Sequence, residues 1–356
     1  MAMQSHSAEG DTIRWLAAAQ PVPEFGAPVA RSAWLRQRRS IRSRLGMLLG
    51  RFPPRPRAPA VHILAREDRG DYVVERFQFD NGAGSIVPGY LLLPPSEGPF
   101  PAILYCHWHG EQYEVGKEEL FQRNAVPVAP GPELVRRGYA VMAIDACGFG
   151  ERNGRGPGGI EEKGVAGELT TSKYLLWTGR TLWGLIVRDD LMALDYLCSR
   201  PEVDARRIGV TGISMGSTRT WWIMALDDRP AAGVGVCCLT RYQDLIRRQG
   251  LRHHGIYYYV PGLLAHFDIE AVVALAAPRP LLFLSGAADE GSPVEGVRTV
   301  ASKVKPVYRL SNAERDFQSV IYPGVGHRYT PAMWGRMLAW MERHLGPGFL
   351  RKKSGY

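Results

Sequence analysis

The chain has 356 residues, 45% of them hydrophobic, so it can bury a sizeable core in one large domain or two smaller ones. Its formal net charge is +9, but residues 31–57 alone carry nine arginines and no acidic residue, so the remainder is formally neutral and a uniformly basic nucleic-acid-binding domain is not expected. The sequence has neither a run of about 18 apolar residues nor a signal-peptide pattern, so no membrane span is predicted and a cytoplasmic location is expected.

Residues 1–60 are predicted to form an arginine-rich helical extension. Ser32 can cap a helix whose apolar residues recur at helical spacing while arginines cover the other faces. The apolar residues that share one face are Trp34, Ile41, Leu45 and Leu48. Such a stripe favours packing on the domain that follows or on a second copy of the chain, which would make a homo-oligomer. The alternative is a helix that binds a membrane surface or nucleic acid.

Residues 61–350 are predicted to form one α/β domain. Residues 71–95 look like two antiparallel strands joined at Asn81-Gly82, and buried strands then alternate with helices. This alternation predicts a mostly parallel central sheet with helices on both faces. The strands are expected at 102–106, 140–144, 207–211, 234–239, 281–284 and 319–322, and the helices at 132–137, 182–198, 217–226 and 331–346.

The most informative stretch is the Gly-x-Ser-x-Gly motif at residues 212–216. A β-branched apolar run precedes it and a helical segment follows it, which is the context of a nucleophile elbow. A chance match is the alternative in a chain with 40 glycines, but the flanking strand and helix favour the elbow. Ser214 is therefore predicted to be a catalytic nucleophile.

A serine nucleophile needs a base and a carboxylate that orients the base. Asp289 follows one predicted strand and His327 follows the next, so the two residues come after Ser214 in the order typical of α/β-hydrolases. Asp289 is the predicted acid and His327 the predicted base. Asp268 and Glu290 are rival acids, although Asp268 precedes its strand and Glu290 lies one residue further into the loop.

The segment Cys106-His107-Trp108-His109-Gly110 ends the first predicted parallel strand, where such folds supply a backbone N–H to the oxyanion. The predicted donors are the N–H of Met215 and that of His109, with Trp108 as second choice for the latter. His107 and His109 could instead be a metal pair, but no carboxylate or cysteine is spaced to complete a site.

No cofactor or metal is expected. Residues 145–152 half-match a dinucleotide fingerprint, but its third glycine is missing and a Gly/Pro-rich stretch follows where a helix should open. The five cysteines lie mostly in apolar runs without metal-type spacing, so buried free thiols are favoured over a disulfide framework.

The polar-aromatic segment 252–261 lies between predicted strands. It is interpreted either as a wall of the substrate pocket, with His254 and Tyr258 in contact with substrate, or as a subunit contact. The residue types do not separate these two interpretations.

Together these motifs resemble those of bacterial α/β-hydrolases of the dienelactone-hydrolase-like and acetyl-xylan-esterase-like kind, over about residues 34–345. The motifs that carry the resemblance are residues 106–110, 116–119, 145–152, 180–184, 188–190, 212–216 and 277–280. The resemblance implies an α/β-hydrolase fold with Ser214, Asp289 and His327 as the triad, and an N-terminal helical extension packed on the catalytic domain. Dienelactone hydrolases use a cysteine nucleophile where this chain has serine, so lactone chemistry is not implied.

The resulting hypothesis is a serine esterase that acts on small-molecule, short-chain esters, with sugar-linked acetyl groups as the favoured example. A peptidase or amidase of the prolyl-oligopeptidase type is one alternative, since the same triad can cleave amides. A non-catalytic binding protein that uses its basic N-terminal helix is the other.

Overall fold

The computed structural model describes residues 8–18, 21–26, 28–56 and 59–346. The ends of the two predicted segments, residues 1–7 and 347–350, therefore lie outside the described residues. The strands are β1 (Val61–Asp68), β2 (Val73–Asp80), β3 (Ile86–Leu93), β4 (Phe100–Cys106), β5 (Ala140–Ile144), β6 (Val203–Ile213), β7 (Ala232–Val236), β8 (Leu281–Gly286) and β9 (Phe317–Tyr322).

Within the described residues these strands form a single nine-stranded sheet in the order β1-β2-β3-β5-β4-β6-β7-β8-β9. The first three strands pair antiparallel, and β3 also pairs antiparallel with β5. Every pairing from β5 through β4 to β9 is parallel. The mostly parallel sheet predicted from the sequence is confirmed, and β1 extends its antiparallel end beyond the two strands that were expected.

Helices cover both faces of this sheet. They are α1 (Ala8–Ala18), α2 (Arg31–Leu49), α3 (Pro130–Arg136), α4 (Gly164–Trp177), α5 (Leu182–Ser199), α6 (Met215–Leu226), α7 (Tyr242–Arg247), α8 (Ile269–Ala274), α9 (Val294–Arg309) and α10 (Pro331–Leu345). None of the helices in the described part of the chain combines the length and the apolar character needed to cross a membrane.

The two-residue period of a strand divides the core into two layers. In β8, Leu281 and Phe283 pack into the cluster that contains α5, α6, α8 and α9. Leu282 and Leu284 point to the opposite side, into the cluster that contains α3 and α10. Because both faces of the strand are buried, its sequence is a continuous apolar run rather than an alternating one.

Helix α2, in the N-terminal segment, packs on the sheet domain as an amphipathic helix. Its buried residues are Trp34, Ile41, Leu45 and Leu49, and Leu48 is only partly buried. Ala30, rather than Ser32, occupies the N-cap position, because the helix already begins at Arg31. Next to these apolar residues, Arg38 and Arg42 both form ion pairs with Asp228, which lies just after α6. The helix is thus fastened to the sheet domain by apolar contacts and by ion pairs.

Candidate active site

Ser214 occupies a strained turn between β6 and α6. Its φ is 59° and its ψ is −120°, a conformation that costs a non-glycine residue free energy and is typical of functional sites. A Cβ atom at Gly212 or Gly216 would collide with the carbonyl oxygen of Cys106, so the turn can close only with glycine at both positions. The Ser214 N–H donates to the Val236 carbonyl at 2.9 Å, which anchors the turn to β7. The structure therefore has the predicted elbow geometry at Ser214.

Asp289 and His327 lie in the loops that follow β8 and β9, and they contact each other. Nδ1 of His327 lies 2.8 Å from Oδ2 of Asp289. The two loops come this close because Gly286 has no Cβ, which would collide with the carbonyl oxygens of Val325 and Gly326. Burial acts to raise the pKa of Asp289, but the hydrogen bond and charge of His327 outweigh it, so the pKa lies below its ordinary value. Asp289 is thus held as a buried carboxylate against the imidazole.

The two rival acids lie in different environments. Asp268 caps the N-terminus of α8 by accepting from the Ile269 N–H, and it also accepts from backbone N–H groups of α7. Glu290 has a side chain that is 76% exposed and faces Arg252 and His253. Of the three candidates, Asp289 is the carboxylate that the structure brings to His327.

Ser214 and His327 share one cavity of about 380 Å³, which Asp289, Cys238 and His254 also line. The Ser214 hydroxyl has one side-chain partner among the described residues, the Cys238 thiol, with Oγ and Sγ 3.7 Å apart. Nε2 of His327 has no hydrogen-bond partner in the described part of the chain, and 34% of this side chain is exposed. The three side chains therefore meet at one cavity, with the hydroxyl in contact with Cys238 rather than with the imidazole.

A second cavity, of about 550 Å³, shares four lining residues with the first, namely Ser214, His253, His254 and His327. On its other side it is lined by residues of the β4 loop and of α4. These include Trp108, His109, Tyr113, Val165, Glu168 and Leu169. Ser214 thus lies where the two cavities join. A nucleophile in this position can attack a substrate that has one part in each cavity.

The two candidate oxyanion donors after β4 differ in their availability. The Trp108 N–H donates to Oε2 of Glu119 at 2.9 Å, so it is already engaged. The N–H groups of His109 and Met215 have no hydrogen-bond acceptor among the described residues. Engagement of the Trp108 amide therefore leaves His109, the first choice from the sequence, as the available donor in this loop.

The imidazoles of His107 and His109 are fully hydrogen-bonded. For His107, Nδ1 contacts the carbonyl of the next residue at 2.8 Å and Nε2 accepts from the Ala146 N–H. For His109, Nε2 lies 3.0 Å from a Glu168 carboxylate oxygen and Nδ1 accepts from the Glu111 N–H. All four ring nitrogens are engaged, so neither ring has a nitrogen left to bind a metal, as the alternative of a metal pair required.

The segment 252–261 contributes to the cavity wall through its histidines. His254 lines both cavities, and its Nε2 contacts the Gly291 carbonyl at 2.8 Å, next to Asp289. Burial lowers the pKa of His254 to about 4, so the ring is neutral at pH 7. Tyr258 is only 3% exposed and stacks against the His254 ring at 4.1 Å between centroids. The expected contact of Tyr258 with substrate is therefore corrected: it lies behind His254 and supports that ring.

Four residues near the site were not singled out from the sequence. Glu119 binds the loop after β4, Glu168 holds the His109 ring, Cys238 contacts Ser214, and Cys237 lies beside Asp289 and His327. The two cysteines directly follow a parallel strand, at the sheet edge where Asp289 and His327 also lie. This position in the sequence could have indicated that they lie near the site. All five cysteines are free thiols, as expected.

Residues 4–323 match the model of the Abhydrolase family. The chain is 38% identical over 307 residues to the "Putative hydrolase YtaP" of Bacillus subtilis, a similarity that covers 85% of this chain and 98% of that protein. Among solved structures, a "putative acetyl xylan esterase" from Bacteroides fragilis has a TM-score of 0.69 at 19% identity, covering 90% of this chain and 83% of that one. A glucuronoyl esterase from Solibacter usitatus has a TM-score of 0.68 at 17% identity, with 92% and 98% covered.

The two structural similarities show a shared fold, and the sheet order and elbow described above are those of an α/β-hydrolase. The resemblance to α/β-hydrolases drawn from the sequence motifs is thereby confirmed. Since the family model matches most of the chain and the Bacillus relative aligns over nearly its whole length, this protein belongs to the Abhydrolase family.

Proposed function

We propose that this protein is a carboxylic-ester hydrolase with Ser214 as nucleophile, His327 as general base and Asp289 as the carboxylate that orients the base. The observation that carries the proposal is the strained Ser214 elbow facing the cavity that also contains the hydrogen-bonded His327–Asp289 pair. A strained, glycine-flanked serine opposite a carboxylate-bound imidazole is the arrangement that activates a hydroxyl for acyl transfer.

In the first step Nε2 of His327 takes the Ser214 proton as Oγ attacks the ester carbonyl. Asp289 holds Nδ1 protonated, so that Nε2 carries the free lone pair, and it stabilises the imidazolium that forms. A rotation about the Ser214 Cα–Cβ bond, away from Cys238, is the motion that aligns the hydroxyl with Nε2. Hydrogen bonds of this kind often tighten only when substrate is bound.

The negative charge that develops on the carbonyl oxygen is stabilised by the N–H groups of Met215 and His109, which have no other acceptor among the described residues. Collapse of the tetrahedral intermediate expels the alcohol, which takes a proton from His327. Water then attacks the acyl-enzyme with His327 again as base, and Ser214 is regenerated.

The cavities support a small ester as substrate. Their volumes are about 380 and 550 Å³, which suits a short acyl group on one side of Ser214 and a larger alcohol on the other. The lining of histidine, glutamate and tyrosine side chains offers hydrogen bonds to a polyhydroxylated alcohol. Acetyl esters of sugars satisfy both conditions, and two proteins of similar fold are named as a "putative acetyl xylan esterase" and a glucuronoyl esterase.

The proposal is tested with p-nitrophenyl esters of increasing acyl length, acetylated sugars and a panel of aminopeptide substrates. The Ser214→Ala variant is expected to lose roughly five to six orders of magnitude in kcat for acetyl esters, with its circular dichroism unchanged. A fluorophosphonate probe should label the wild-type protein and not the variant. Ester hydrolysis retained in Ser214→Ala, or amide cleavage faster than ester cleavage, would overturn the assignment.

A further inference from the structure

Cys237 occupies a position at the site that the hydrolytic mechanism does not use. It directly follows β7 with a φ of 60°, and the residue is 1% exposed. The preceding strand and the contact of Ser217 Oγ with the Cys237 carbonyl, at 2.7 Å, hold this backbone against the elbow helix α6. The thiol is therefore a fixed feature of the site rather than a side chain on a flexible loop.

The Cys237 thiol, a carboxylate oxygen of Asp289 and a ring nitrogen of His327 all lie within 4.8 Å of one another. Thiolate sulfur, imidazole nitrogen and carboxylate oxygen are the three ligand types that Zn²⁺ uses in proteins, at bond lengths of about 2.0–2.3 Å. Those bond lengths place the ligand atoms of a tetrahedral site about 3.5 Å apart. The three side chains need to move by only about an ångström to reach that geometry.

We propose that Cys237, Asp289 and His327 form an inhibitory site for a borderline-soft divalent cation, with Zn²⁺ as the matching ion. The inhibition rests on the proposed function, because two of the three ligands are the proposed acid and base, whereas the binding site does not depend on that function. Zinc displaces the thiol proton of Cys237 to solvent and takes the place of the hydrogen bond between His327 and Asp289, and the proton that Nδ1 of His327 carried in that bond moves to Nε2 of the same ring.

Inhibition follows directly from this ligand set. The His327–Asp289 hydrogen bond, 2.8 Å long, keeps the proton on Nδ1 and the lone pair on Nε2, the nitrogen that takes the Ser214 proton in the proposed mechanism. A cation bound to both groups removes that bond and ties up the base. Asp289 and His327 both line the 380 Å³ cavity, so the ion can enter by the route that a substrate takes.

The adjacent cysteine provides a matched control. Cys238 is also buried, but its thiol contacts Ser214, and it does not belong to the group of three. The ligand set therefore predicts that Cys237→Ser loses zinc affinity while Cys238→Ser keeps it. Cys198→Ser, on α5, controls for the number of thiols.

Binding is measured on the full-length protein without substrate, by titration calorimetry with ZnCl₂ and by absorption spectroscopy with Co²⁺. We expect one zinc per chain, a thiolate-to-cobalt charge-transfer band in the near ultraviolet, and at least about 100-fold weaker zinc binding in Cys237→Ser, since the loss of outer-shell partners alone costs 10- to 100-fold. The cobalt band needs no variant, so it remains decisive if Cys237→Ser fails to fold. A wild-type protein without that band, or equal zinc affinity in Cys237→Ser, overturns the site.

Activity is measured separately with p-nitrophenyl acetate, each variant being compared with itself before and after addition of zinc. Wild type and Cys238→Ser should be inhibited and should recover with EDTA, whereas Cys237→Ser should not respond. One-to-one binding through Cys237 in a protein without any esterase activity would leave the metal site standing and refute the proposed function. Equal inhibition of wild type and Cys237→Ser would place the inhibitory zinc elsewhere and refute this inference.

Discussion

Asp289 and Glu290 are neighbouring carboxylates in opposite environments, and this contrast allows a test at the scale of single residues. Asp289 is 4% exposed and bonded to Nδ1 of His327, whereas Glu290 projects into solvent. We expect Asp289→Asn to lower kcat by roughly four orders of magnitude, because the amide favours the wrong imidazole tautomer while filling the same volume. Steady-state kinetics with p-nitrophenyl acetate measures this loss.

Glu290→Gln is the control for this substitution. Its exposed ion pairs with Arg252 and His253 contribute little, so kcat should stay near the wild-type value. A large loss of kcat in Glu290→Gln together with a near wild-type kcat in Asp289→Asn would show that Glu290, rather than Asp289, is the acid of the triad.

At the scale of elements, the loop after β4 depends on a carboxylate contributed by the short helix Gly116–Phe121. Glu119 is fully buried and accepts from the Tyr105 hydroxyl and from the Trp108 N–H. By fixing the Trp108 peptide it positions the next amide, that of His109, which is proposed to bind the oxyanion. Glu119 is thus a positioning residue, and it does not contact the substrate.

Two substitutions separate this role from simple packing. Glu119→Ala leaves two buried donors without acceptors, at a cost of about 1–3 kcal/mol each, and should lower kcat by about 100-fold, the effect of losing one oxyanion donor. Glu119→Gln can accept from Trp108 and donate to the oxygen of Tyr105, so both stability and kcat should stay close to wild type. Denaturant titrations and ester kinetics provide the two readouts.

The pH dependence of stability gives a second test of this carboxylate. Burial raises the pKa of Glu119 from 4.5 to about 7, so the folded protein retains a proton that the unfolded chain releases. The resulting stabilisation is complete below about pH 4.5 and is lost as the pH rises through 7. Across this window the free energy of unfolding should fall less, or rise more, with increasing pH in Glu119→Gln than in the wild type, because the glutamine does not titrate. Parallel profiles for the two proteins would show that folding does not raise the pKa of Glu119.

The elements that could be predicted from the sequence are those whose buried faces have a regular pattern. The continuous apolar runs of β4, β5 and β8 identify strands covered on both faces. Among the elements that were missed, α9 does have a regular buried face, with Val297, Val300, Val304 and Val307 at helical spacing, whereas β1 and α4 leave large apolar side chains in solvent, such as Ile63 at 53% exposure and Trp177 at 96%. Their apolar residues do not mark a buried face, so periodicity cannot identify them.

The same distinction applies to the site. Ser214, Asp289 and His327 could be proposed from the sequence because each lies in a local pattern, a motif or a strand end, and their order along the chain adds a further constraint. Glu119, Glu168 and Cys237 could not, because their roles arise from contacts made in three dimensions. Tyr258 shows the converse: an aromatic residue in a polar loop suggested a ligand contact, but its ring is buried behind His254.

At the scale of the whole molecule, the arginine-rich helix shares one core with the catalytic domain. Trp34, Ile41, Leu45 and Leu49 belong to the same apolar cluster as residues of α5, α6, α8 and α9. The sequence predicted a helical extension at residues 1–60 that packs on the catalytic domain or on a second copy of the chain, and its net positive charge suggested a binding role as the alternative. The contacts of Arg38 and Arg42 with Asp228 indicate that part of this charge serves to attach the helix.

A shared core predicts that a destabilising substitution in α2 lowers the stability of the entire protein. Leu45 is fully buried, so Leu45→Ala should lower the free energy of unfolding by about 2–5 kcal/mol through lost burial and a residual cavity. Met47, two residues along the same helix, is 55% exposed, and Met47→Ala should change stability by no more than about 0.5 kcal/mol. The measurement is urea unfolding followed both by circular dichroism and by loss of esterase activity. If α2 is part of the common core, the two probes of Leu45→Ala shift together to lower urea, whereas a detachable extension would leave the activity transition at its wild-type midpoint.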